Sequence, residues 1–498
     1  MKKKVVEISP FDIYLESLND ENLDQIIHFF SDVKTHLLVS NDIQNKLIED
    51  FQNAILYYNQ VGLTVKESIE RLNAYKLGGF YTRPARLWYP LDNSAKIYPI
   101  SMNHGQMSVF RLSAILKKEI VPEILQMALT FTIKRFPSFA TTVKKGFFWH
   151  YLDTTKIRFN IEEDNGLPCQ PINIASNSSK TFRVMYYDKR ISVEFFHILT
   201  DGTGGMVFLK TLIHTYLDLL GVTSEIDSNM FDINEVSTPE NTSNAFQNVP
   251  KSENSSGFMD SPALQMSGAI SRHKPHQVLH FTMDASKLKS VSKSYNSTIT
   301  TYLLSQMFLA MFYATDEETG DLSIQVPVNM RKFFPTSTVR NFAMYCGVRL
   351  QITDVTTIES MVPTITKQLA DKANQESMSE MMTSSATMVK SLRFIPMFIK
   401  QPIARIIYGF LGDKIFSNTL SNLGVVQMPE PLVSHIEKFD FSLGPTITNR
   451  AACAAVTYNN KTVFSITKIT NDPSFEERLL HNLKKDGIDV EVEGNYEH

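Results

Sequence analysis

Between Phe182 and Gly221 the apolar pattern changes period once, and that change limits the folds open to the chain. FRVMYY and RISVEFF alternate with a period of two, and Asp188-Lys189 between them fits a tight turn, so the pair reads as a hairpin. MVFLKTLIHTYLDLLG, just beyond, carries apolar residues at helical spacing and stops at Gly221. The join is HILTDGTGG. His197 is therefore expected at the carboxyl end of a buried strand, with Asp201 four residues on, in a glycine-rich turn that leads into a helix.

The rest of the chain repeats this alternation. LIEDFQNAILYYNQVG and TVKESIERLNAYKLGG are amphipathic helices, the second opened by a T-x-x-E capping box at Thr64 and closed by Gly78-Gly79. MSVFRLSAIL predicts a strand, VPEILQMALTFTIKRFP a helix ended by Pro137, and SFATTVKKGFFWHYLD a hairpin. Residues 222 to 275 are rich in Asn, Ser and Pro and read as a long, partly mobile crossover. QVLHFTMDASKLKSV then gives a strand and a helix start, TITTYLLSQMFLAMFYA a buried helix, LSIQVPVNMR a strand, and ACAAVTYNNKTVFSITK a hairpin turning at Asn459-Asn460. Each half thus offers strand, helix, strand. The expected class is α/β, of the α+β sandwich type: two lobes, each a mixed sheet with helices, at 81–221 and 276–498, a crossover at 222–275, and a helical extension at 1–80.

Charge and cysteine content exclude several functions. Lys and Arg total 49 against 52 Asp and Glu, and beyond Lys2 to Lys4 no basic run stands out, so a nucleic-acid partner is not expected. Cys169, Cys346 and Cys453 are far apart and odd in number, which fits free thiols in a reducing compartment, the cytoplasm by default. The first residues lack an uninterrupted apolar core, so no export signal is expected. No stretch has the ~20 apolar residues of a spanning helix. The nearest, RFIPMFIKQPIARIIYGFLG at 393 to 412, reads as a partly buried helix pair with a proline between; grazing a membrane or lining a lipid-accessible channel is the alternative.

A histidine at a strand end presents its ring to a cleft and titrates near neutral pH, which suits a general base. Asp201 either orients that ring or turns away to fix the loop through a cation. Gly202 and Gly204 are expected to permit a backbone geometry closed to other residues. H-x-x-x-D-G alone does not separate a catalytic ring from one satisfied within a turn.

FFHILTDGTGGMVFLKTLI resembles the HxxxDG region of the chloramphenicol acetyltransferase-like superfamily, which includes alcohol acetyltransferases, polyketide-associated acyltransferases and condensation domains. KRFPSFATTV, VPVNMRKFFPTSTVRNFAMY and SNTLSNLGVV resemble further segments of these proteins, in the same order across residues 81 to 490. The resemblance implies acyl transfer from a thioester, acyl-CoA or an acyl carrier protein thioester, to a hydroxyl or amine of a small or lipid-like acceptor, with no bound cofactor and no metal. It implies His197 as general base and Asp201 as a loop anchor paired with Arg331; Gly202 belongs to the motif. Backbone N–H groups of DGTGG, or Ser421 and Asn422, are candidates for channel or oxyanion contacts. Phe196 precedes the motif where condensation domains often carry a second histidine, and no DFGWG segment is present, so a free-standing O-acyltransferase of the alcohol acetyltransferase-like kind is the first expectation. A condensation-type enzyme using carrier thioesters and a non-catalytic binder of apolar ligands are the rivals.

Other patterns carry less. His273, His276 and His280 cluster in HKPHQVLH without matched carboxylates or cysteines, so no metal site is expected. IEED at 161 to 164 reads as a solvated turn. There is no phosphate cradle and no G-x-S-x-G elbow.

Overall fold

The computed structural model describes residues 9–82, 86–96, 108–173, 180–227, 229–253, 261–272, 275, 277–400, 402, 414–445 and 449–494. Two mixed sheets organise it. The first has the strand order Ile436–Leu443, Val109–Leu116, Arg190–Phe196, Phe182–Tyr187, Ile161–Glu163, with only the last pair parallel. The second runs Ala343–Gln351, Asp321–Asn329, Asn418–Val425, Ala451–Tyr458, Lys461–Lys468, Gln277–Asp284, Val490–Gly494, and Asn418–Val425 is parallel to both its neighbours. A three-stranded sheet, Trp88–Pro90, His150–Thr154, Thr141–Lys145, stands apart.

Turn chemistry sets the hairpins. Asp188 has φ +48°, and Asn459 and Asn460 have φ +42° and +62°, the left-handed values that a two-residue hairpin turn demands and that Asn and Asp tolerate. Tyr187 accordingly pairs with Arg190, and Tyr458 with Lys461.

Period two also sorts side chains between two cores. Ala454, Val456 and Tyr458 pack with the first core, whereas Cys453 and Ala455 of the same strand pack with the second. A strand buried on both faces explains why AACAAV reads as an unbroken apolar run. Over the first sheet, helices Pro122–Thr132 and Gly202–Leu219 pack together. Over the second, Ile299–Tyr313 packs with Ile358–Lys372 and Ser474–Lys485.

Four expectations need correction. Strand Ile436–Leu443 belongs to the first sheet although it lies in the second half of the chain, so the expected division at 276 is crossed. The extension before residue 80 does not stand off as an appendage: Phe51 meets Phe131 edge-on, Asp50 pairs with Arg158, and the Tyr58 hydroxyl donates to the Leu219 carbonyl. The described parts of the crossover are packed, with Met230 and Ile233 in the first core and Phe246, Val249 and Met266 in the second, because its scattered apolar residues lack a period yet still find partners. IEED is not a solvated turn: Ile161–Glu163 is an edge strand, and Asp164 accepts two bonds from Arg111, whose Nε donates to buried Glu194.

Of residues 393–412, 401 and 403–412 lie outside the described residues, as do His273 and His276. No described helix is long and apolar enough to cross a membrane.

Candidate active site

Strand pairing sets the position of His197. Val109 lies opposite Phe196 in register, and the next N–H along, that of His197, donates to the Ser108 carbonyl at 2.8 Å. The ring leaves the sheet at its edge and meets Phe110 at 5.2 Å between centroids, edge to face. Across the gap, Asn341 of the second lobe places Nδ2 3.2 Å from His197 Nδ1 and donates to the His197 carbonyl at 3.2 Å. Burial pushes the imidazole below its ordinary value of 6.5; a bond to its own carbonyl and the charge of Asp201 oppose this less strongly. The neutral ring is favoured.

Asp201 caps the helix Gly202–Leu219. One carboxylate oxygen accepts the Gly204 N–H at 2.9 Å. The other accepts Arg331 Nη1 at 2.7 Å and the Phe342 N–H at 2.6 Å. Arg331 in turn donates to the carbonyls of Thr338 and Arg340. The aspartate thus joins the helix start to the 338–342 loop of the other lobe, and none of these bonds reaches the histidine ring. The 222–275 crossover supports that loop from behind: Val339 N–H donates to the Asn241 carbonyl, Thr338 Oγ1 to that of Ser243, and Phe246 stacks edge-on against Phe342.

The glycines act by space, not by backbone angle. None of the motif glycines has positive φ. A Cβ on Gly204 would lie 2.2 Å from the Val339 carbonyl oxygen and 2.3 Å from Thr200 Oγ1, and one on Gly202 would lie 2.8 Å from the Leu423 side chain. The two lobes approach so closely here that a methyl group does not fit. DGTGG is also not a turn before the helix but its first turn, so the Gly204 and Gly205 N–H groups are taken by Asp201 and are not oxyanion donors.

Ser421 and Asn422 lie on the strand whose Leu423 touches Gly202, which brings that segment to the same junction. Asn422 is committed locally, donating to Thr300 Oγ1 and accepting the Gly424 N–H. Asn341 was not singled out from the sequence, although it lies in VPVNMRKFFPTSTVRNFAMY. Neither was Thr200, whose hydroxyl donates to Val339, nor Thr203, whose hydroxyl accepts Asn329 Nδ2. Hydroxyls flanking the motif on both sides were the available signal.

Elsewhere, a recess of about 340 Å³ lies between the N-terminal helices and the first sheet, lined by Asp50, Gln126, Arg158 and Glu163. None of the His197 neighbours borders it. His280 Nδ1 contacts Ser465 Oγ at 2.8 Å, and among the described residues no group of three or more His, Cys, Asp or Glu could hold a metal ion.

No protein-family model and no curated protein sequence matches the chain. Solved structures do. Polyketide synthase associated protein 5 from Mycobacterium tuberculosis matches with TM-score 0.55 at 12% identity over 79% of this chain and 96% of that one. TRI3 trichothecene 15-O-acetyltransferase from Fusarium sporotrichioides matches at 0.51 and 12% over 80% and 94%. TRI101 from the same organism, complexed with coenzyme A and T-2, matches at 0.56 and 10% over 81% and 99%. Identities this low speak to architecture alone, and this chain shares the two-lobed α/β architecture of these structures.

Proposed function

We propose that the protein transfers an acyl group from a CoA thioester to the hydroxyl of a small or lipid-like acceptor, with His197 as general base. The observation that carries this is the placement of one imidazole at the junction of the lobes, kept neutral by burial, while the nearby carboxylate is bonded elsewhere. The neutral imidazole takes the acceptor's proton as the oxygen attacks the thioester carbonyl; the C–S bond then breaks, and the proton passes to the leaving thiolate. Asp201 and Arg331 hold the histidine loop against the second lobe and move no proton. Ser421 remains a candidate channel residue. The TRI3 acetyltransferase and the CoA complex of TRI101 support a CoA donor for this fold.

Purified protein is offered acetyl-, hexanoyl- and palmitoyl-CoA with a panel of alcohols and amines, and free thiol is measured. Acceptor-dependent release is expected, falling roughly a hundredfold to ten-thousandfold in His197→Ala. The acid limb of kcat/KM is expected below pH 6.5, since the base titrates below its ordinary value. Equal release from both proteins overturns the reading and turns the search to carrier thioesters or a binding role.

A further inference from the structure

The lobes also touch at the hairpin that begins in KRFPSFATTV. The tip of the Thr141–Lys145/His150–Thr154 hairpin, residues 146–149, lies against residues 394–400, just beyond the helix Gln375–Ser391. Met397 N–H donates to the Phe147 carbonyl at 2.9 Å and Lys400 Nζ to the Phe148 carbonyl at 2.9 Å, so the tip is fixed to the second lobe through its backbone. The side chains point elsewhere. Phe147 is 67% exposed, Phe394 72% and Phe398 68%, with Phe148, Ile399 and Met388 also exposed around them. Phe148 meets both Phe147 and Phe394 edge-on. A contiguous apolar patch this open marks an interaction surface.

Its charge identifies the partner. Between Glu123 and Asp153, and again between Glu380 and Asp413, the sequence has no acidic residue, in a protein whose net charge is -3. The same segments supply Lys144, Lys145, Lys390 and Arg393. Exposed Arg393 sits over Phe394 at 4.5 Å, whereas Lys400, over Trp149 at 3.3 Å, is buried in the joint itself. Projecting phenylalanines accompanied by cations, on two segments that carry no carboxylate, match a surface that is apolar beneath and negative on top.

We propose that this patch docks the protein on an anionic lipid bilayer, the rings entering the interface and the cations meeting the headgroups. The proposal does not depend on acyl transfer, and its failure leaves that reading untouched.

The test is co-sedimentation of the full chain with phosphatidylcholine vesicles, with and without phosphatidylserine. Phosphatidylserine vesicles are expected to bind several-fold more tightly, and added salt to remove that gain. The exposed pair Phe147→Ser/Phe398→Ser is expected to lose at least about tenfold in affinity for them with its thermal midpoint unchanged. Lys390→Gln/Arg393→Gln is expected to lose affinity only where phosphatidylserine is present. Failure to bind either vesicle, or binding indifferent to the phenylalanine changes, overturns the proposal. So does capture of an acyl carrier protein in place of vesicles, lost in the same variants, which would make the patch a protein dock.

Discussion

Two of the places where the lobes meet are built in opposite ways. At the inner junction Asp201 is 5% and Arg331 12% exposed, every bond of the carboxylate is directed, and glycines leave no room between backbones. At the outer junction two backbone carbonyls accept from the Met397 N–H and the buried Lys400 ammonium, and the phenylalanine rings face outward. A buried polar contact tolerates little change, because each lost partner strands a group that cannot reach water. An exposed apolar one can be altered with little effect on the fold, and is for that reason free to serve another surface.

Arg331→Met should break the inner junction most severely. It leaves the Asp201 carboxylate and two loop carbonyls short of donors, and about 3–5 kcal/mol of unfolding free energy is expected to be lost in urea titrations. A loss under ~1 kcal/mol would mean that the junction is held by packing alone. Gly204→Ala should cost about 1–3 kcal/mol, because the Val339 carbonyl is backbone and cannot step aside. Gly202→Ala should cost less, since the flexible Leu423 side chain can yield. Comparing the two by thermal melting separates rigid contact from general crowding.

Acid probes the outer junction. Burial, with help from Lys145, pushes His150 beside the hairpin tip down to about 4. Between pH 6.5 and about 4 the unfolded chain takes up a proton that folded His150 refuses, so stability is present above 6.5 and falls across that window. Urea midpoints measured stepwise over the window should decline, and His150→Gln should flatten the decline. The smallest effect is expected from Phe147→Ser, within about 0.5 kcal/mol of the parent by thermal melting. A larger loss would place the ring in the folded core.

Local signals were legible wherever neighbours in sequence decide the outcome. The hairpins at Asp188-Lys189 and Asn459-Asn460, the Thr64 cap and the strand before His197 follow from turn chemistry and period. The contact of Asp201 with Arg331, 130 residues away, was reached through the resemblance, since nothing in composition or spacing joins them. Asn341 and the buttress from Asn241 and Phe246 were invisible for the same reason: a polar loop and an aperiodic crossover carry no pattern until they are folded together. The glycines were visible but were assigned the wrong cause, because a sequence does not distinguish a need for unusual angles from a need for space.

Strand Ile436–Leu443 has a consequence for how the molecule is made. Its partner Val109–Leu116 emerges from the ribosome more than three hundred residues earlier, and nearly all of that strand is buried in the finished sheet. Until the late strand arrives, the nascent chain presents an apolar open edge, which invites pairing with other chains. Cutting the gene after residue 275 would therefore yield an aggregation-prone fragment and not a free first lobe. Although the sheet begins to form early, its completion waits for nearly the whole message to be translated.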